Sequence, residues 1–432
     1  MEWEKRAETF LRKAAASGSV LGLSSMYELM HRLGDPQEQI PVIHVAGTNG
    51  KGSVCCFLRN ILSAQGYRLG VYTSPAVFSY EERFLLCDVP VERQELCAYF
   101  CRIADICEQM SAEGWIAPTL FEIETAAAYL LFYEKHCDFA IIEVGMGGAT
   151  DATNVLSRSL CSVFTSIGRD HMQFLGDSLV DIATVKAGII KQGGHVVSIW
   201  QDEPVEELLT KHAKAVEASI AFAKESQVKI SKECPLLYSY MEFTDITVEM
   251  QGTYQLDNSV LALETIRMLR SLGIAISDAS VRRGIRCAQW PGRMECIHEH
   301  PSVYLDGAHN LPAARRMKET ICKDFTNQSI TYIIGVLADK EHQEMMQLLM
   351  PYASHVFTVT PANPRALSAD ALAAEIAASG YHAVASVSMQ QAVAQAWQAK
   401  DDVIIAFGSL SYLQDFKTCM LQFMKEHEND GS

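Results

Sequence analysis

The run His44-Val45-Ala46-Gly47-Thr48-Asn49-Gly50-Lys51-Gly52-Ser53 carries the clearest chemistry in this chain. A buried-strand pattern, Pro41 to Ala46, leads into it, and a helical pattern from Ser53 to Gln65 leads out. Gly47 and Gly50 let the backbone N–H groups of the loop, Thr48 and Asn49 included, converge on a polyphosphate. The helix N-terminus adds partial positive charge there. Lys51 can reach the β/γ oxygens, and the Ser53 hydroxyl can ligate Mg²⁺. Gly52, inserted between the lysine and the serine, departs from the common Walker spacing. A glycine-rich turn with a surface lysine is the bland alternative, and strand, loop and helix in that order argue against it.

Other residues gain meaning from this loop. Glu143, in Glu143-Val144-Gly145-Met146-Gly147-Gly148, closes a strand pattern. A carboxylate at a strand's C-terminal end beside a phosphate loop is placed to hold Mg²⁺, unless it caps the next turn. His171 ends Thr165-Ser166-Ile167-Gly168-Arg169-Asp170-His171. Alone it reads as a structural histidine, because Mg²⁺ rarely takes imidazole. Lys186, in Lys186-Ala187-Gly188-Ile189-Ile190-Lys191, reads alone as a solvated helix lysine. Three more segments stand out: Gln251-Gly252-Thr253-Tyr254-Gln255-Leu256-Asp257-Asn258, Pro291-Gly292-Arg293-Met294-Glu295 and Asp306-Gly307-Ala308-His309-Asn310. Alone, Arg293 suggests a salt bridge, and Asp306 and His309 suggest turn caps. No Ser-His-Asp or Cys-His nucleophile pattern is recognisable.

The elements that must position these residues alternate. Strand patterns at Arg68–Tyr72, Phe139–Val144, Cys161–Thr165 and His195–Ile199 are separated by helical ones at Arg93–Met110, Phe121–His136 and Ile182–Ile190. Such alternation predicts a parallel α/β sheet. Two helices, Trp3–Ala16 and Ser24–Leu33, precede it, and Glu203 to Met250 is more polar and less regular, with room for a few antiparallel strands. Helical patterns return at Asp257–Ser271 and Ser277–Cys287. A second, shorter α/β series follows Pro291-Gly292-Arg293, with strands at Val303–Asp306, Tyr332–Val336, His355–Thr360 and Val403–Phe407, and only Lys425–Ser432 looks loose. The expected domains are 1–293, with the phosphate loop at 47–53, and 294–432.

Composition narrows the function. Of 432 residues, 52 are acidic and 36 basic, a formal charge of −16, which argues against a nucleic-acid or anionic-membrane binder. With 49% hydrophobic and 20% charged residues the chain can bury full cores. There is no apolar run long enough to span a bilayer, and the first residues lack a signal-peptide core. Thirteen cysteines, an odd number in apolar company, suit free thiols in a reducing compartment, hence a cytoplasmic protein.

Taken together, from about Gly22 to Leu413, these motifs resemble the Mur ligase superfamily, and within it the folylpolyglutamate synthase/dihydrofolate synthase family. Lys51-Gly52-Ser53 looks like the folate branch; peptidoglycan-building relatives usually have threonine after the lysine. The resemblance implies a P-loop-containing parallel-sheet central domain, here with a pterin-side loop at 73–83, followed by a smaller Rossmann-like α/β domain. It implies Glu143 and His171 as metal ligands and Lys186 as a lysine that is often carbamylated. Asn258 would contact adenine, Arg293 would reach the phosphates, and Asp306 and His309 would face the nucleotide and the reacting groups. Implied ligands are ATP, Mg²⁺ at two sites, L-glutamate and a reduced folate or dihydropteroate, with allowance for a monovalent cation; a monomer is expected. The implied reaction is ATP-driven amide formation through an acyl phosphate. Rivals are a Mur-type ligase for a different carboxylate and a module that binds ATP without turnover.

Three positions depart from the family pattern. Ala76 stands where many members carry histidine, and Ala149 where many bifunctional members carry arginine. Ala149 therefore favours glutamate-tail extension. Pro312 is displaced by one from its usual place, which predicts only a local change at a helix start.

Overall fold

A computed structural model describes residues 2–16, 18, 22–170, 172–176, 178–338 and 342–428. It divides into two compact units, Met1–Glu249 with Leu256–Ala288, and Met250–Gln255 with Gln289–Ser432. The break expected after Arg293 thus falls after Ala288. The piece Met250–Gln255 joins the second unit because it is hydrogen-bonded there: the Thr253 N–H donates to Thr320 Oγ1 at 3.1 Å, and the Tyr254 hydroxyl to Asp306 at 3.0 Å.

The first unit is built on β1 (Val42–Ala46), β2 (Leu69–Tyr72), β3 (Phe84–Leu86), β4 (Val89–Pro90), β5 (Phe139–Glu143), β6 (Cys161–Phe164), β7 (His195–Ser198) and β8 (Ser219–Phe222). They form one sheet in the order β4-β3-β2-β5-β1-β6-β7-β8. From β2 to β8 all pairings are parallel, while β3 and β4 are added antiparallel at one edge. β1 is buried along its whole length, as a central parallel strand covered on both faces must be. One core gathers Phe100, Ile103, Tyr129 and Phe132 from the helices Arg93–Ala112 and Leu120–Glu134. Another gathers Phe164, Ile182, Val196, Val205 and Leu209. Local signals start the helices that matter. Thr119 with Glu122, and Ser178 with Asp181, form reciprocal capping boxes that open Leu120–Glu134 and Leu179–Ala187.

The polar stretch after Trp200 holds more order than its pattern suggested. It contains a helix, Glu203–Ala215, and an antiparallel sheet of β9 (Val228–Glu233), β10 (Leu236–Tyr240) and β11 (Phe243–Val248).

In the second unit β12 (Glu295–Glu299), β13 (Ser302–Leu305), β14 (Ile330–Ile334), β15 (His355–Thr358), β16 (Val384–Ala385) and β17 (Val403–Phe407) are ordered β12-β13-β17-β14-β15-β16. Only β12 runs antiparallel, to β13. Its core includes Met317, Ile321, Tyr332, Leu349, Ile405 and Phe407. Pro312 enters the first turn of the helix Leu311–Asp324, with Asn310 as its cap: the Ala313 N–H donates to Asn310 Oδ1 at 2.9 Å. The helix Leu413–Glu428 continues through Lys425, so the looseness expected from that residue does not hold over Lys425–Glu428; the rest of that segment lies outside the described residues. All thirteen cysteines are free thiols. Among the described residues no helix is long and apolar enough to cross a membrane.

Candidate active site

The loop Gly47–Gly50 leaves the C-terminal end of the central strand β1. Glu143 closes β5 on one side of it, and Thr165 follows β6 on the other. Parallel sheets bind ligands at this end. The sequence sets the turn: Gly47 has φ 149°, and Gly50, with φ 87°, precedes the helix Lys51–Gln65 in a left-handed conformation. Neither position has space for a side chain. A Cβ on Gly47 would lie 1.8 Å from Thr165 Oγ1, and one on Gly50 would lie 2.3 Å from Asn258 Oδ1. Gly47→Ala is therefore expected to destabilise the fold by about 1–3 kcal/mol. Denaturant unfolding would measure this, and an unchanged midpoint would contradict the clash.

The rest of the loop is tied to the segment after β6. The Thr48 N–H donates to the Ser166 carbonyl at 2.8 Å. The Thr48 hydroxyl donates to the Gly168 carbonyl at 2.9 Å and accepts from the Gly168 N–H at 3.0 Å. Ser166 Oγ donates to the Asn49 carbonyl at 3.4 Å. Gly52 and Ser53 lie in the first turn of the helix, with Ser53 buried.

The charged groups converge on the same turn. Lys51 Nζ curls back to within 3.4 Å of the Gly47 carbonyl and 3.3 Å of the Thr48 carbonyl, and lies 3.9 Å from Glu143 Oε1. Glu143 is buried, and its Oε2 accepts the Ser74 N–H at 3.2 Å. Lys186, in the last turn of Leu179–Ala187, is 4% exposed and donates from Nζ to the Gly47 carbonyl at 2.7 Å. Burial pulls its ammonium down to about 7; the Lys51 charge acts in the same direction, and Asp170 and Asp151 oppose it. Gly148 lets that helix end approach: a Cβ there would lie 2.8 Å from the carbonyl oxygens of Val185 and Lys186. Ala149 is exposed, and its N–H donates to the Val185 carbonyl at 2.8 Å.

The residues fit Mg²⁺. Among the described residues no group of three His, Cys, Asp or Glu is assembled. Mg²⁺ keeps several waters and binds through one or two carboxylates plus substrate phosphates. A buried carboxylate, a hydroxyl in the first helical turn and a phosphate loop supply that donor set. His171 lies outside the described residues.

In the second unit Asp306, directly after β13, is buried and accepts three hydrogen bonds. Its Oδ2 accepts the Tyr254 hydroxyl at 3.0 Å and the Met294 N–H at 2.9 Å, and its Oδ1 accepts the Ala308 N–H at 2.8 Å. Burial raises its pKa, against the nearby Arg293 charge and these three donors. Arg293 packs beside Gly307, where a Cβ would lie 2.5 Å from Nη1. His309 holds its Nδ1 2.7 Å from the Gly307 carbonyl, so Nδ1 carries a proton.

Sequence reasoning missed the Ser74 N–H on Glu143 and the Tyr254 hydroxyl on Asp306. Both residues lie inside segments already singled out, but a contact between positions 74 and 143 has no local signature.

The class follows from these two sheets and from the family models they match. Residues 103–266 match the Mur ligase middle domain, and residues 292–410 the Mur ligase glutamate ligase domain. Within that class, the chain is 35% identical, over 92% of its length and 94% of the relative's, to the dihydrofolate synthase/folylpolyglutamate synthase of Bacillus subtilis (strain 168). It superposes with a TM-score of 0.88 on a Mycobacterium tuberculosis folylpolyglutamate synthase complexed with ADP, at 28% identity, covering 97% of this chain and 98% of the other. A bifunctional folylpolyglutamate synthase/dihydrofolate synthase with Mn, AMPPNP and L-glutamate bound gives 0.81 at 29% identity, covering 94% and 95%. The chain belongs to the folylpolyglutamate synthase/dihydrofolate synthase family of ligases.

Proposed function

We propose that this protein uses ATP to join L-glutamate to the γ-carboxylate of a reduced folate, with dihydropteroate as a second acceptor. The observation that carries the reading is the convergence of Lys51, Glu143 and Lys186 on the Gly47 turn, in a chain of this family. The acceptor carboxylate attacks the γ-phosphorus and ADP leaves; the glutamate amine then attacks the acyl phosphate, and phosphate leaves as the amide forms. Lys51 and the loop amides neutralise charge on the transferring group. Ser53 and Glu143 would hold Mg²⁺, which would supply further charge neutralisation, and His171 with Glu143 and a carbamylated Lys186 would serve a second site. A monovalent cation is allowed. Asn258 serves the adenine, Arg293 the phosphates, and Asp306 the nucleotide. His309 faces the reacting groups and takes the proton that the glutamate nitrogen loses. The relatives that carry ADP, or AMPPNP with Mn and L-glutamate, support the ligand set. The protein acts as a cytoplasmic monomer.

Arg293→Ala is expected to lower turnover by about a hundredfold with little change in melting. Wild-type turnover, or an unfolded variant, would remove Arg293 from the machinery. The acceptor is tested by ADP release with Mg²⁺, ATP and L-glutamate, in the presence of dihydropteroate, a monoglutamyl reduced folate, or neither. Products are read by mass. The exposed alanine at 149 supports folate as the preferred acceptor, and failure of both acceptors would leave a ligase for another acid.

A further inference from the structure

β6 ends at Phe164, yet the segment beyond it must hold its place, because Thr165 abuts Gly47, and Ser166 and Gly168 carry the Thr48 and Asn49 contacts. The backbone ladder from β7 reaches only as far as the Ile199 N–H, which donates to the Phe164 carbonyl at 3.0 Å. Past that point a side chain takes over. Gln201 Nε2 donates to the Thr165 carbonyl at 2.8 Å, and Gln201 Oε1 accepts the Ile167 N–H at 3.0 Å. The fork thus pairs with the segment as a neighbouring strand would. Its second donor goes to Ser198 Oγ at 3.2 Å, and its own backbone N–H goes to Glu206 Oε1 at 3.0 Å, inside the helix Glu203–Ala215. Both donors and the acceptor of the amide are therefore engaged, and the amide is anchored from behind.

We infer that Gln201 is a positioning residue for the phosphate loop. Its amide sets Thr165–Gly168 at the distance from Gly47–Asn49 that Mg-nucleotide binding needs. It acts through two successive layers, from Gln201 to the Thr165 and Ile167 backbone, and from Ser166 and Gly168 to Thr48. Losing the fork leaves one carbonyl and one N–H, of the buried Thr165 and Ile167, without that partner, which lowers stability somewhat while the loop loses its register. The proposal rests on the ligase reading above and deepens it.

The test uses Gln201→Met, which keeps the length but removes both polar ends, and Gln201→Glu, which keeps an acceptor for Ile167 but loses the donor to Thr165. Binding of Mg·AMPPCP by calorimetry, steady-state kinetics and exchange of the Ile167 amide are compared with wild type. In Gln201→Met the Ile167 amide loses protection. In both variants nucleotide affinity and ATP kcat/KM fall by about 10–100-fold, while the KM for L-glutamate stays put and the chain still unfolds cooperatively without nucleotide, at a somewhat lower midpoint. Wild-type nucleotide affinity in both variants would overturn the proposal, as would retained protection of Ile167 in Gln201→Met. A collapsed fold in both would also overturn it, by making the role structural. Wild-type protein that failed to bind Mg·AMPPCP would instead bring down the ligase reading, while the exchange result at Ile167 would still stand by itself.

Discussion

Lys51→Met lowers turnover by about 10²–10³-fold with every substrate saturating, and leaves the melting temperature near that of the wild type. Lys51 Nζ rests on the Gly47 and Thr48 carbonyls and faces Glu143 at 3.9 Å, a separation too long for a tight ion pair. It contributes little to the fold in that position. Its charge is positioned for the moment when negative charge spreads over the transferring phosphoryl group, and a thioether cannot replace it. Parallel measurements of ADP release and thermal unfolding check both halves. A variant that unfolded, or one that kept its turnover, would contradict this division of roles.

Lys186→Met is expected to cost at least about a hundredfold in turnover and to change the dependence of stability on pH. In the folded chain the Lys186 ammonium is pulled from 10.5 down to about 7. Between those values the unfolded chain binds more protons than the folded one, so this group makes stability rise with pH across that window. Below about pH 7 the buried ammonium burdens the fold, and methionine removes that burden. Unfolding by denaturant at several pH values should show the rise flattened in Lys186→Met; an identical profile would mean that Lys186 is not held as the structure indicates. The lowered value also leaves much of the amine neutral near pH 7, the form that adds CO₂ to give a carbamate and a proton. Intact mass with and without bicarbonate should show one added CO₂ in the wild type and none in the variant.

Much of the site was legible because it is local. Gly47, Gly50, Lys51 and Ser53 fall within one turn between a strand and a helix, and Glu143 ends the neighbouring strand. Lys186 illustrates the opposite case. Nothing in its own segment announces a buried lysine, because that burial depends on Gly148 admitting the end of its helix. The helix Glu203–Ala215 was read as irregular because its apolar face is narrow: only Val205, Leu209 and Ala213 are buried, four residues apart. β12 was missed for a related reason. It is an antiparallel edge strand with no fully buried residue, so it lacks the apolar run that marks β13. Gln201 left no mark in the sequence, since its role depends on where β6 stops and on which backbone groups are then left to pair.

The central claim, that the acceptor carboxylate is activated by phosphoryl transfer before glutamate attacks, can be tested with one isotope. A reduced folate carrying oxygen-18 in its γ-carboxylate, turned over with Mg²⁺, ATP and L-glutamate, should pass one labelled oxygen to the released phosphate, because the carboxyl oxygen that attacks phosphorus leaves with it. Phosphate free of label, alongside labelled amide product, would contradict the acyl-phosphate route and the roles built on it.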